Sequence, residues 1–266
     1  MKTILRNLSN KKLLIGMVHL LPMPGSPDFT SMDTVIKQAL ADAKILERAG
    51  FHAVMIENFG DTPFYKTHVP PETISAFTLI ASKIKEYVKI PVGINVLRND
   101  GFAAVAIANA VGGMFIRINV FISAVLTDQG IIEGQAAELI RYRNQLNPNI
   151  AVFADVSVKH SYPLSGKKIE LFQEIKEAFY RGKADGIIIS GKETGSGPDL
   201  KELRKVRENL KEIPLLVGSG TNLKNAVEYK KYFDGFIIGT AIKKGNVTSN
   251  PVDSKKAEEI VKVLSK

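Results

Sequence analysis

Gly186-Ile187-Ile188-Ile189-Ser190-Gly191-Lys192-Glu193-Thr194-Gly195-Ser196-Gly197, Leu215-Leu216-Val217-Gly218-Ser219-Gly220-Thr221 and Phe236-Ile237-Ile238-Gly239-Thr240-Ala241 repeat one pattern three times. In each, a short apolar run stops in a turn of glycine and hydroxyl residues. A strand buried on both faces reads as a continuous apolar run, so each is expected to be a parallel strand with small residues at its C-terminal end. In a (β/α)₈ barrel the loops after the last strands commonly grip a phosphate. Glycine lets the backbone come close to the anion, and helix N-terminal N–H groups face it. Ser190, Thr194, Gly195, Gly218, Ser219, Gly220, Gly239 and Thr240 are therefore the candidate phosphate-binding residues. A single glycine after a strand needs no function beyond making the turn; the repetition carries the expectation.

Outward from this stretch the same alternation continues. Strands are expected at Leu13–Val18, Ala53–Glu57, Pro91–Val96, Met114–Ile118 and Ile150–Val156, with others from Gly186, at Pro214–Val217 and at Gly235–Ile238. Between them, apolar residues recur at helical spacing, as in Val35, Ile36, Ala39, Leu40, Ala43 and Leu46, which Gly50 closes. Asn99 or Asp100 can cap the alanine-rich helix that ends at Gly112-Gly113, and Asp199 with Glu202 resembles a capping box. Asn222–Tyr229 and Pro251–Leu264 are the last two helices. Eight strand–helix pairs without a dividing linker predict an α/β protein, a single (β/α)₈ TIM barrel of the ribulose-phosphate-binding kind, over 1–266 with 1–12 as an N-terminal extension. Helix-to-strand connections are short, whereas strand-to-helix connections such as Asn58–Pro71 and Asn119–Gly134 are long and polar. In a barrel the long ones share the face where active sites sit.

Side chains alternate along a strand, so one parity points into the barrel. With Val54 and Ile56 under the helices, Met55 and Glu57 face inward; the same parity turns Asn95, Arg117, Asn119 and Asp155 inward near the strand ends. Glu57 and Asp155 can divide into base and acid if their surroundings separate their pKa values. Arg117 can hold an anion, or simply neutralise the two carboxylates as a buried ionic cluster. His19, at the end of the first strand, suits proton transfer, and Lys159 suits a base, a Schiff-base former or an anion clamp. The candidate catalytic set is thus Glu57, Asp155, His19, Lys159 and Arg117, with Asn95, Asn119, Asn58 and His160 as substrate-binding candidates. No metal site is expected: His19, Glu57, Asp155 and His160 are chemically able ligands, but no compact ligand motif is present. No cofactor is called for either, although a flavin mononucleotide phosphate would fit the glycine turns.

Composition excludes several classes. The chain of 266 residues is 45% hydrophobic and 24% charged, which is ordinary for a globular protein. It has no cysteine, and so no disulfide, thiolate zinc site or cysteine nucleophile. The net charge of +9 comes from scattered lysines and arginines, densest in 159–183 and 201–211, which reads as solvated helix faces and not as a nucleic-acid site. An anionic metabolite suits it better. Met1–Lys12 has no apolar stretch of signal-peptide length, and the uncharged run Gly101–Ile116 is too short for a bilayer. A cytoplasmic protein is expected, free to touch a membrane peripherally or to form a homo-oligomer.

Several strings are more distinctive than the fold requires. Gly16-Met17-Val18-His19-Leu20-Leu21-Pro22-Met23-Pro24-Gly25-Ser26-Pro27, Glu57-Asn58-Phe59-Gly60-Asp61-Thr62-Pro63-Phe64, Gly93-Ile94-Asn95-Val96-Leu97-Arg98-Asn99-Asp100 and Thr127-Asp128-Gln129-Gly130-Ile131-Ile132-Glu133-Gly134 resemble the BtpA family. So do Asp155-Val156-Ser157-Val158-Lys159-His160 with Pro163-Leu164, and the turns at Thr194-Gly195 and Val217–Gly220. The resemblance runs from about Leu14 to Ala241 and implies a TIM-like barrel. The family takes its name from a cyanobacterial factor for photosystem I accumulation, extrinsic to thylakoids. It also occurs in organisms without photosynthesis and includes SgcQ-like proteins near sugar-metabolism genes. The resemblance assigns no catalytic residue. Two functions are therefore expected to compete. One is a metabolic enzyme that binds a phosphorylated sugar or nucleotide-like molecule and isomerises, eliminates or hydrolyses it; the other is a non-catalytic assembly factor of the photosystem I biogenesis type.

Overall fold

The computed structural model describes residues 4, 12–157, 161–164, 170–190 and 200–265. Eight parallel strands close into a barrel: β1 (Leu13–His19), β2 (Ala53–Glu57), β3 (Val92–Asn95), β4 (Phe115–Ile118), β7 (Ala151–Val156), β9 (Gly186–Ile189), β10 (Leu215–Val217) and β11 (Gly235–Ile238). β11 pairs with β1 to complete the ring. Among the described residues, helices α1 (Met32–Ala49), α2 (Pro71–Tyr87), α3 (Gly101–Val111), α4 (Ala136–Leu146), α5 (Leu171–Lys176), α6 (Leu200–Asn209), α7 (Ala226–Tyr229) and α8 (Ser254–Ser265) accompany the strands. None of the described helices is long and apolar enough to cross a membrane.

The expected parity is the one observed. Ile15, Met17, Met55, Phe115, Phe153, Ile188, Leu216 and Ile237 pack together inside the barrel, whereas Val54, Ile56, Ile94, Ile116, Val152 and Ala154 pack under the helices. Phe115 and Phe153 fill the interior with ring centroids 5.4 Å apart. Full burial of each is worth about 1.5–3 kcal/mol, so the barrel floor is a solid support for what stands above it. Register then sets the rim: His19 lies beside Glu57, and Glu57 beside Asn95.

Caps end the helices where the side chains allow. Asp100, not Asn99, caps α3: its carboxylate accepts from Ala103 N at 2.9 Å and from Val69 N at 2.9 Å. Asn99 instead exchanges hydrogen bonds with the Val120 backbone at 2.7 and 2.9 Å. The expected capping residue Asp199 lies outside the described residues.

Three expectations need correction. The connection Asn119–Gly134, which reads as a long polar loop, instead carries β5 (Ala124–Thr127) and β6 (Gly130–Glu133), which with β8 (Ser161–Pro163) form a three-stranded antiparallel sheet in the order β6-β5-β8. Two short β-branched runs flank Asp128-Gln129, and Gly130 takes φ +93°, which is hairpin chemistry. The helix expected over Asn222–Tyr229 forms only at Ala226–Tyr229. Asn222 and Asn225 spend their side chains on local backbone: Asn225 Oδ1 accepts from Asn222 N at 2.9 Å, and its amide donates to Gly220 O at 2.8 Å. That competition holds the preceding residues in turns. The last helix begins at Ser254 and not at Pro251, because Asp253 caps it through Lys255 N and Lys256 N, and Val252 bridges to Lys243.

Candidate active site

A cavity of about 770 Å³ opens at the C-terminal ends of the barrel strands, within the range that takes small molecules. Its floor and one wall carry His19, Glu57, Arg117, Asn119 and Asp155; the adjoining wall carries Gly218–Asn222 and Gly239–Ala241. Most of the expected residues therefore meet in one place. Asn95 does not reach the wall. It is fully buried beneath it and donates to Glu57 Oε2 and Asn119 Oδ1, both at 3.3 Å. Asn58 also departs from its expected role: its Oδ1 accepts from Leu97 N at 2.7 Å and its amide donates to Asp61 Oδ2 at 3.1 Å, so it fixes the loop after β3. Ser190 is buried beside Gly218 and not on the cavity wall. Lys159, His160, Thr194 and Gly195 lie outside the described residues.

The charged floor has a definite internal order. Arg117 Nε lies 3.1 Å from Asp155 Oδ1 and Nη2 lies 2.9 Å from Oδ2, a forked pairing, while Nη1 stands 3.9 Å from Glu57 Oε2. Asn119 donates to Asp155 Oδ2 at 2.8 Å. Burial opposes the charge on Arg117, but Asp155 and Glu57 outweigh it and raise its pKa above the ordinary value. Asp155 is thus committed to Arg117 and Asn119, whereas Glu57 keeps one oxygen toward His19, with His19 Nε2 3.7 Å from Glu57 Oε1.

Burial pushes the His19 pKa well below its ordinary value, and the charges of Lys243 and Arg117 push it further. The ring is therefore neutral near pH 7, and its contact with Glu57 is not an ion pair. A neutral imidazole next to a carboxylate can accept or relay a proton. Its position depends on Gly239: a Cβ there would lie 2.8 Å from His19 Cε1, closer than a side chain tolerates. Phe59 also packs against the ring, with centroids 5.1 Å apart.

The wall of glycine turns also carries cations. Lys224 and Lys256 line the cavity, and Lys256 Nζ donates to neutral oxygens, Asn246 Oδ1 at 2.7 Å and Lys243 O at 3.2 Å. The Thr240 hydroxyl meets that of Thr248 at 2.9 Å. Behind this wall, Lys243 is fully buried and bonds Asp42 of α1 at 2.7 Å. Burial lowers the Lys243 pKa while Asp42 pulls it back up.

Sequence reasoning missed Phe59, Phe64, Arg98, Thr221, Asn222, Lys224 and Lys256, which share the cavity. Phe59, Phe64 and Arg98 lie within the distinctive strings, and Thr221 and Asn222 directly follow a glycine turn, so position in the loops was the available signal. Lys256 sits on α8, and no sequence signal ties it to the site. Burial lowers the Arg98 pKa, opposed chiefly by Asp155 and Asp128. Asp128 belongs to the β5–β6 turn, so this hairpin contributes to the field at the mouth.

The family model described as "BtpA family" matches residues 10–266. The chain belongs to the BtpA family. An uncharacterized protein of Methanocaldococcus jannaschii is 48% identical over 96% of this chain and 96% of its own length. The photosystem I biogenesis protein BtpA of Synechocystis is 40% identical over 95% of this chain and 88% of its own. Among solved structures, (S)-3-O-geranylgeranylglyceryl phosphate synthase from Thermoplasma acidophilum, in complex with its substrate sn-glycerol-1-phosphate, superposes with a TM-score of 0.61. That likeness covers 100% of this chain and 99% of the other at 16% identity, and so speaks for the TIM-barrel fold alone.

Proposed function

We infer that this BtpA-family barrel is an enzyme that binds a phosphorylated small molecule and acts on it by proton transfer. The observation that supports it is that one cavity holds a carboxylate–imidazole pair, Glu57 and His19, facing glycine turns flanked by Lys224 and Lys256. The phosphate is assigned to Gly218-Ser219-Gly220 and Gly239-Thr240, where three glycines keep side-chain bulk low and nearby cations suit a dianion. A barrel of the same fold binds a phosphate ester, sn-glycerol-1-phosphate, which supports the ligand class.

Roles on the floor follow from the bonding. Glu57 is the proton-transfer group, because Asp155 is occupied by Arg117 and Asn119. His19, neutral and at 3.7 Å from Glu57, is its partner in that transfer. Arg117 with Asp155 forms a fixed dipole beneath the reacting atoms, able to stabilise developing negative charge. Such a floor can serve isomerisation, elimination or hydrolysis.

The experiment is a thermal-shift panel of phosphate esters, each beside its dephosphorylated counterpart, since a ligand of the native state raises its apparent stability. A phosphate-dependent rise, with turnover that Glu57→Gln abolishes while binding survives, is the expected result. Equal responses to the phosphorylated and bare compounds would overturn the reading. A second reading, a non-catalytic assembly factor, is favoured by the name of the Synechocystis relative. Under it, a Glu57→Gln, Asp155→Asn double variant that folds would rescue a deletion strain as well as wild type.

A further inference from the structure

We propose that the cavity takes a nucleoside monophosphate, with the phosphate on the glycine turns and a flat heteroaromatic base against Phe59 and Phe64. The proposal rests on the reading above and narrows its ligand class.

The cavity has two chemically different ends. The glycine turns follow β10 and β11, and Phe59 and Phe64 follow β2, three strands further round the ring from β10. At that end Phe59, Phe64 and Leu97 line the wall beside Thr62 and Arg98, with both rings half-buried. A bare sugar phosphate has no surface to place there. It would also leave much of a cavity of about 770 Å³ unfilled. A base, by contrast, has a π-face to stack, and stacking is tolerant of base identity.

The aromatic wall is built, not incidental. Gly60 lies so close to the proline loop after β1 that a Cβ would stand 2.5 Å from Pro22 N, and its own N–H donates to Leu20 O at 3.0 Å. Asp61 accepts from Met23 N at 2.8 Å and from Asn58 at 3.1 Å. These contacts clamp the loop on both sides of Phe59, whose ring then rests on His19. His19 in turn touches the Gly239 turn. The order along the cavity is therefore phosphate turn, His19 with Glu57, aromatic wall. That order sets the sugar and its glycosidic carbon over the proton-transfer pair.

Isothermal titration of the full chain with AMP, UMP and ribose 5-phosphate tests this. At least one nucleotide should bind roughly tenfold or more tighter than ribose 5-phosphate, the ratio expected of one base–aromatic stack. Phe59→Leu, which keeps apolar bulk but removes the ring, should reduce that ratio toward one; Phe59→Trp should preserve it. Ribose 5-phosphate binding as tightly as both nucleotides would overturn the base subsite and leave the phosphate reading standing. Binding of neither class would overturn both. A nucleotide preference unchanged in Phe59→Leu and in Phe64→Leu would overturn the assignment of the base to this wall.

Discussion

Lys243→Met removes the cation that faces Asp42 at 2.7 Å, with the two side chains 0% and 1% exposed. Asp42 is then left charged or forced to take up a proton in a site that water does not reach. Breaking such a pair from one side costs about 3–5 kcal/mol, because the surviving charge keeps its desolvation penalty and loses its partner. For a domain of this size each kcal/mol moves the melting temperature by about 2–4 °C, so the fall is roughly 6–20 °C. Asp42 has a second task, accepting from Val252 N at 2.8 Å. Asp42→Asn can keep that acceptor while removing the charge, so the double variant Asp42→Asn, Lys243→Met should recover to within about 2 kcal/mol of wild type. The assay is urea unfolding of wild type, both single variants and the double. A Lys243→Met midpoint that corresponds to less than about 1 kcal/mol of loss, or a double variant no better than the sum of the singles, would refute the reasoning. The pair joins α1 to the segment after β11 that carries Gly239–Ala241, so a loosened phosphate wall should accompany the loss.

Other perturbations probe the floor of the cavity. Gly239→Ala places a methyl group 2.8 Å from His19 Cε1 and should cost about 1–3 kcal/mol, read as a lower midpoint in urea. Arg117→Met strands Asp155 and Glu57 and should destabilise by about 3–5 kcal/mol; adding Asp155→Asn should return part of that loss in the same assay. His19 has a folded pKa well below its ordinary 6.5, so below that value the unfolded chain binds a proton that the folded chain refuses. Its contribution to stability is therefore intact above about pH 6.5 and is lost as the pH falls toward the folded pKa, by up to about 1.4 kcal/mol per unit. His19→Gln should flatten the stability–pH curve in that window, and NMR titration of the ring should show no midpoint near 6.5.

The barrel was legible in the sequence because its strands are continuous apolar runs and their stops are glycine turns, both local signals. Inward parity was legible for the same reason: Val54 and Ile56 must face the helices, which leaves Glu57 no other direction. What the sequence withheld depends on contacts between distant residues. Ser161–Pro163 is a strand only because β5 offers it an edge, and a proline within three residues argues against that reading locally. Asn58 and Asn95 have the same chemistry as Asn119, yet one fixes the Leu97 backbone and one lies under the floor, distinctions made by the partners the fold brings to each. Lys243 looks like a surface lysine until Asp42, far away in the chain, is brought to it. The aromatic wall was present in a distinctive string, but nothing local says that Phe59 and Phe64 face a cavity.

The phosphate assignment is tested most directly by titrating ribose 5-phosphate into wild type and into Ser219→Asp, with a crystal of the wild-type complex beside the titration. Saturable binding, abolished by the added carboxylate in a variant that melts like wild type, with the phosphate seated on Gly218–Gly220 and Gly239-Thr240, is the predicted result. Unchanged binding in Ser219→Asp, or a complex whose phosphate lies away from both turns, would contradict it.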